Sequence, residues 1–264
     1  MTDKHDDLIR VAEALADAAR TAILPYFRAS GLTVDNKHAQ GFDPVTEADR
    51  AAERAMRSIL AAERPHDAIL GEEFGHEAGT SGLTWVLDPI DGTRAFIAGT
   101  PTWGVLIAVS DETGPILGVI DQPYIRERFI GGAGVAHLSG PYGQTTLKAR
   151  LTQGLNEAIL FTTFPEVGTA QERAGFEAVA ARTRLVRYGM DCYAYALVAA
   201  GQVDLVIEAG LAAYDIQAPI ALIEAAGGVV TDWTGGPVHE GGRALAAANP
   251  ALHAEALDLL RPFA

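Results

Sequence analysis

Apolar residues recur at helical spacing from early in the chain. Leu8, Ala12, Leu15, Ala19, Ala22, Ile23, Tyr26 and Phe27 fall on one face, the rhythm of a helix that buries a single stripe. A second helix is predicted to open after Thr46, with Ala52, Ala55, Met56, Ile59 and Leu60 on one side. The pattern then changes to short apolar runs bounded by turn residues, which predict strands at 68–70, 84–87, 103–109, 116–120 and 128–130. Beyond a glycine-rich stretch at 131–143, predicted strands at 158–162, 185–187, 203–208, 229–231 and 244–247 alternate with predicted helices at 170–181, 192–200, 216–226 and 250–260. The half at about 1–140 therefore reads as α+β and the half at about 141–264 as α/β, with no long linker between them. One domain over 1–264 is the expected organisation. There is no internal repeat and no low-complexity tract.

Gly131-Gly132-Ala133-Gly134-Val135-Ala136 invites comparison with a dinucleotide-binding loop. Counted from Gly132, however, the last glycine of Gly-x-Gly-x-x-Gly is His137, and Gly140-Pro141 interrupts any following helix. A glycine-rich hairpin is the expectation there.

One segment carries most of the chemistry. Trp85-Val86-Leu87 delivers Asp88-Pro89-Ile90-Asp91-Gly92-Thr93, with a helix start at Arg94-Ala95-Phe96. Two carboxylates so close repel by roughly 4 kcal/mol at 4 Å and an effective dielectric of about 20. A divalent cation offsets that, and oxygen-only ligands point to Mg²⁺ or Mn²⁺. Gly92 lets backbone approach a ligand, and the amides that follow suit a phosphate. The same six residues could also form a plain turn, but three further segments support a site. These are Gly71-Glu72-Glu73 after a short apolar run, Asp43-Pro44-Val45-Thr46-Glu47-Ala48-Asp49 at a helix start, and Tyr214-Asp215 ahead of an apolar run to Gly227-Gly228.

These motifs, in this order, resemble those of the inositol monophosphatase superfamily, metal-dependent phosphatases of small phosphate esters. The likeness runs from about Asp43 to Trp233; Tyr214 stands where many members have Trp. The resemblance implies a layered α/β/α/β/α sandwich with the site between its halves, and a homodimer. The stretches 85–107, 118–124, 191–197 and 203–211 are most similar to the histidinol-phosphate phosphatase branch. Hydrolysis of histidinol phosphate in histidine biosynthesis is thus the leading expectation. Inositol phosphate or another sugar phosphate or nucleotide is the runner-up substrate, and a non-enzymatic phosphate-binding regulator is a remote alternative.

Under this resemblance, one ion is expected on Glu72, Asp88 and the Ile90 carbonyl, and a second on Asp88, Asp91 and Asp215, with room for two or three in all. Gly92 and Thr93 would bind phosphate. Glu72, together with Thr93 bonded to Asp49, would orient the attacking water. Asp191 and Glu208 would face the alcohol half of the ester, where carboxylates suit a cation. Other readings stay open. Asp49 could simply complete a capping box with Thr46, Asp191 could cap the helix after it, and Asp215 could cap and bind at once.

Composition narrows the classes. A formal charge of −14 over 264 residues disfavours a nucleic-acid surface. No apolar stretch is long enough to span a membrane, and the segment Met1 to Asp7 lacks the pattern of a secretory signal. The one cysteine, Cys192, fits a reducing cytoplasm and is expected in the core. The histidines show no zinc-ligand spacing, and no Gly-x-Ser-x-Gly nucleophile elbow occurs.

Overall fold

The first apolar stripe forms α1 (Thr2–Ile23), which ends short of Phe27 because residues 24–28 turn. The structure, a computed structural model, describes residues 2–30, 34–36 and 44–264. Asp43, where the motif around Asp49 begins, lies outside them. Two short strands, β1 (Val34–Asn36) and β2 (Pro44–Thr46), pair antiparallel and lead into α2 (Glu47–Glu63). The start of α2 is set by a capping box between Thr46 and Asp49.

The chain then builds a mixed sheet from β3 (Ala68–Gly71), β4 (Gly75–Glu77) and β5 (Thr84–Asp91). After the short α3 (Thr93–Ala98) come β6 (Gly104–Asp111), β7 (Gly114–Gln122), β8 (Glu127–Gly132), β9 (Val135–Gly140) and β10 (Gly143–Thr146). The order across these eight strands is β10-β9-β8-β7-β6-β5-β3-β4. The glycine-rich stretch is a hairpin, with Gly132 opposite Val135. β9 is the second arm of that expected hairpin; β1, β2, β4 and β10 escaped the sequence reading because each has only three or four residues.

The second half supplies β11 (Ile159–Thr162), α4 (Ala170–Ala180), β12 (Leu185–Tyr188), α5 (Asp191–Ala199), β13 (Leu205–Ala212), α6 (Ala213–Ala225), β14 (Val229–Thr231), β15 (Gly241–Ala247) and α7 (Pro250–Leu260). Its sheet runs β12-β11-β13-β15-β14. Only the β11 pairings are parallel, and β15 lies antiparallel to both β13 and β14.

Period-two alternation sorts side chains into three apolar cores. Trp85, Leu87, Val105, Ile107, Val109 and Val119 join α1 and α2 in one. Val86, Leu106, Ala108, Ile120, Val206, Ala244 and Ala246 face α5 and α6 in the next. Leu205, Ile207, Leu245 and Ala247 meet α4 and α7 in the third. Helices, sheet, helices, sheet, helices is the five-layer sandwich that the family resemblance implies. A buried Asp121, bonded by Arg20 and Arg128 at 2.7 Å each, ties α1 to the first sheet.

The middle layer is the tightest. Every residue of α6 from Ile216 to Ile223 is buried, as expected of a helix apolar all round. It sits close because two strands are bare beneath it. A Cβ on Gly118 would lie 2.2 Å from the Ala218 carbonyl oxygen, and one on Gly131 would lie 2.6 Å from the Leu222 Cα.

Gly118→Ala should therefore shift α6 and lower stability by about 1–3 kcal/mol, the usual cost of overpacking. Urea unfolding measures this. An unchanged midpoint would mean that the helix does not bear on β7 at this point.

Candidate active site

β5 carries its carboxylates out of the sheet through a bulge. Asp88 pairs with Leu106 and Asp91 with Gly104, so β5 holds one residue more than β6 between these points, and such a bulge re-aims side chains. Asp88 is 2% exposed, and its Oδ1 accepts the Ile90 N–H at 3.0 Å. Gly92 then reverses the chain at φ 83°. A Cβ there would also stand 2.8 Å from that of Asp191, so glycine is required twice over.

Two other elements bring acids to the same place. β3 runs parallel to β5 with Gly71 opposite Leu87, and the Glu72 N–H donates to the Leu87 carbonyl at 3.1 Å. Glu72 thus follows its strand end beside Asp88. Asp215 lies in the first turn of α6, where its Oδ2 accepts the Ala212 N–H at 2.7 Å. Oxygens of Asp88, Asp91 and Asp215 all lie within 4.8 Å of one another.

Burial, reinforced by Glu72, Asp91 and Asp215, pushes the Asp88 carboxyl well above the usual carboxylate range. Burial, with Asp215 and Asp191 close by, does the same to Asp91. Three acids held together at that cost, with oxygen as their only donor, fit a divalent cation. The residues present therefore suit a metal.

Asp49 is almost fully buried at the start of α2. Its carboxylate accepts the Thr46 N–H at 2.9 Å and the Thr46 hydroxyl at 2.6 Å, so the capping arrangement forms. The Thr93 hydroxyl donates to the Ile90 carbonyl at 3.1 Å, the same oxygen expected to serve as a ligand. In place of the expected Thr93–Asp49 pair, each of the two bonds locally, Asp49 to Thr46 and Thr93 to Ile90.

Asp191 does not cap its helix. It is the first helical residue, Met190 precedes it as the N-cap, and no side-chain cap bond forms. Its φ of 46° is left-handed, and its Oδ2 accepts the Thr102 hydroxyl at 3.0 Å. The next amide, of Cys192, donates to Asp91 at 2.6 Å. The Cys192 side chain is buried, as expected.

Glu208, 8% exposed, accepts the N–H and hydroxyl of Thr163 at 3.0 and 2.6 Å and the Tyr195 hydroxyl at 3.2 Å. All the named acids except Asp49 line one cleft of 540 Å³ with Arg94, Thr163, Phe164 and Tyr195. The Arg94 guanidinium lies 4.9 Å from the centre of the Phe164 ring. Sequence reasoning missed Thr163 and Phe164 as cleft residues and Thr102 as the partner of Asp191. Each is a lone residue in a loop, and no spacing marks it.

The family model described as Inositol monophosphatase family matches residues 4–262. The chain is 44% identical over 87% of its length to the Bifunctional phosphatase IMPL2, chloroplastic, of Arabidopsis thaliana, and spans 65% of that protein. It is 35% identical to the Histidinol-phosphatase of Streptomyces coelicolor over 98% of each chain. Among solved structures, an inositol monophosphatase from Zymomonas mobilis aligns with a TM-score of 0.86 at 40% identity, over 97% of this chain and 98% of that one.

The buried acids imply a distinctive pH response. Burial raises the Asp49 carboxyl to about 6 and the Glu208 carboxyl to about 7. Each binds its proton more tightly folded than unfolded. The stability gained is complete below the unfolded value and is lost as pH rises through the folded one, about 3 kcal/mol for each group. In chelator, the Tm should fall between about pH 4 and pH 7, and added Mg²⁺ should restore most at the higher pH. A Tm that is flat or rising across that window in calorimetry would contradict this account.

Proposed function

The chain belongs to the inositol monophosphatase family, and within it we propose that the protein hydrolyses histidinol phosphate to histidinol and phosphate. The observation that carries this reading is the position of Asp191 and Glu208. Both line the cleft that holds the acidic trio, and they offer carboxylates to an alcohol half that bears an ammonium and an imidazole. The histidinol-phosphatase name of a relative that aligns over nearly its whole length supports it.

A second reading, an inositol phosphate as substrate, has its own support. Glu208 already sits among the hydroxyls of Thr163 and Tyr195, a setting that serves a polyol as well. The Zymomonas mobilis structure bears the corresponding name.

In this mechanism, Glu72, Asp88 and the Ile90 carbonyl would hold one Mg²⁺, or Mn²⁺ in its place, and Asp88, Asp91 and Asp215 a second. When bound, such ions supply Lewis-acid stabilisation of the phosphoryl oxygens and raise the acidity of the attacking water. The chain does the positioning. The amides of Gly92 and Thr93 receive non-bridging phosphate oxygens, where preorganised donors favour the charge that develops. Glu72 and the Thr93 hydroxyl orient the water for in-line attack, and Asp49 holds the start of α2 beside them.

The same reading makes 1–264 one phosphatase domain, acting as a cytoplasmic homodimer on a small phosphate ester, without nucleic acid or membrane. The lone, unpaired cysteine supports the reducing compartment. Among the described residues, no helix is long and apolar enough to cross a membrane.

Phosphate release should cease in chelator and return with Mg²⁺ or Mn²⁺. Asp91→Asn should lose more than about a hundredfold in turnover, as on removing one electrostatic stabiliser. Full activity in excess chelator would end the metal mechanism.

Asp191→Asn is a clean probe of substrate, because asparagine tolerates a left-handed backbone. It should cost histidinol phosphate about tenfold to a hundredfold in kcat/KM, the worth of a charge-assisted hydrogen bond, and cost glycerol phosphate little. Equal losses on both would leave Asp191 a structural role. A wild-type preference for inositol phosphate would promote the second reading.

A further inference from the structure

One turn beyond Asp49, α2 carries a buried carboxylate that the chemistry above leaves unused. The Glu53 side chain is fully buried. Its Oε2 accepts the Glu73 N–H at 2.7 Å, and its Oε1 accepts the Phe74 N–H at 3.2 Å and the Arg57 Nε–H at 2.8 Å. Arg57, one turn further along, donates to the Gly75 carbonyl at 2.5 Å and to Glu77 at 3.3 Å. The turn between β3 and β4 is thus held from α2 at three successive residues. Gly71 leaves the room for this. A Cβ there would fall 1.9 Å from Glu53 Oε1 and 2.4 Å from its Cδ.

Glu72 lies between one of these holds and a bond to β5. Its own N–H is fixed on the Leu87 carbonyl of β5, and the N–H that follows it is fixed on Glu53. With the peptide planes on both sides set, the direction of the Glu72 Cα–Cβ bond is set as well. A buried ion pair is a poor source of stability compared with an apolar pair of the same volume. What Glu53 and Arg57 provide that an apolar pair does not is acceptors and donors for the backbone of this turn.

We propose that Glu53 is a positioning residue: through the Glu73 and Phe74 amides it holds the Glu72 carboxylate beside Asp88 and thereby sets the affinity of the site for a divalent cation. The inference rests on the reading of Glu72 as a cation ligand.

The test is Mn²⁺ binding to metal-stripped full-length protein by titration calorimetry, alongside the unfolding midpoint in chelator. Glu53→Asp keeps the charge but withdraws the carboxylate by one methylene from the two amides. Its Mn²⁺ Kd should rise by about tenfold to a hundredfold, as when a group that orients a metal ligand is lost. Glu53→Gln keeps the length but only one acceptor oxygen, so it releases one of the two amides and should weaken binding in the same direction. Gly71→Ala crowds the carboxylate from the opposite side and should also weaken binding; it carries the same test if Glu53→Asp is not recovered folded.

A Kd within about twofold of wild type in these variants, with only the unfolding midpoint lowered, would make Glu53 a stability residue and overturn the proposal. Glu72→Gln separates the two levels. If it weakens Mn²⁺ binding while Glu53→Asp and Gly71→Ala do not, only the positioning role falls. If it binds Mn²⁺ as wild type does, the ligand role of Glu72 falls and the positioning role with it.

Discussion

Mutual repulsion among Asp88, Asp91 and Asp215 is the constraint around which this molecule is organised. Their oxygens lie within 4.8 Å of one another in surroundings that raise the Asp88 and Asp91 carboxyls well above their ordinary range. Left to themselves, such groups would swing apart or keep their protons. Each is instead held by a backbone N–H. Asp88 is held by Ile90 in its own bulge, Asp91 by Cys192 at the start of α5, and Asp215 by Ala212 at the start of α6. One oxygen of each carboxylate is committed to the scaffold, which stores an electrostatic cost that a cation can relieve.

That arrangement depends on α6 lying close to both sheets. Bare glycine backbone at Gly118 and Gly131 brings the helix down onto β7 and β8, and its first turn then reaches the end of β5. The bulge in β5 and the left-handed Gly92 complete the approach from the other side. Close packing and acid placement are therefore linked, since an outward shift of the helix would carry Asp215 with it.

Helix start and acid placement coincide at α6. Asp215 bonds the amide ahead of that helix and lines the cleft, whereas Asp49 completes the capping box of α2 without lining it. Asp191 departs from both. It occupies a left-handed backbone position without capping, the kind of local strain that concentrates at functional sites.

Sequence by itself determined most of the helices and strands and the central motif, while their layering came from the family resemblance. Period-two strands and helical stripes are local patterns that report which face is buried, and Asp88-Pro89-Ile90-Asp91-Gly92-Thr93 announces its chemistry through adjacent residues. Residues whose partners lie far along the chain were not legible in this way. Thr163 meets Glu208 across 45 positions and Thr102 meets Asp191 across 89, and no periodicity encodes such pairs. Glu53 reads as an ordinary helix residue until the β3–β4 turn is folded against it. The Thr93 hydroxyl, expected on Asp49, goes to the nearer Ile90 carbonyl, a choice that only the bulged backbone makes available. Local pattern dictates which elements form. Which side chains then meet depends on how those elements pack, because that is decided by close approach in three dimensions.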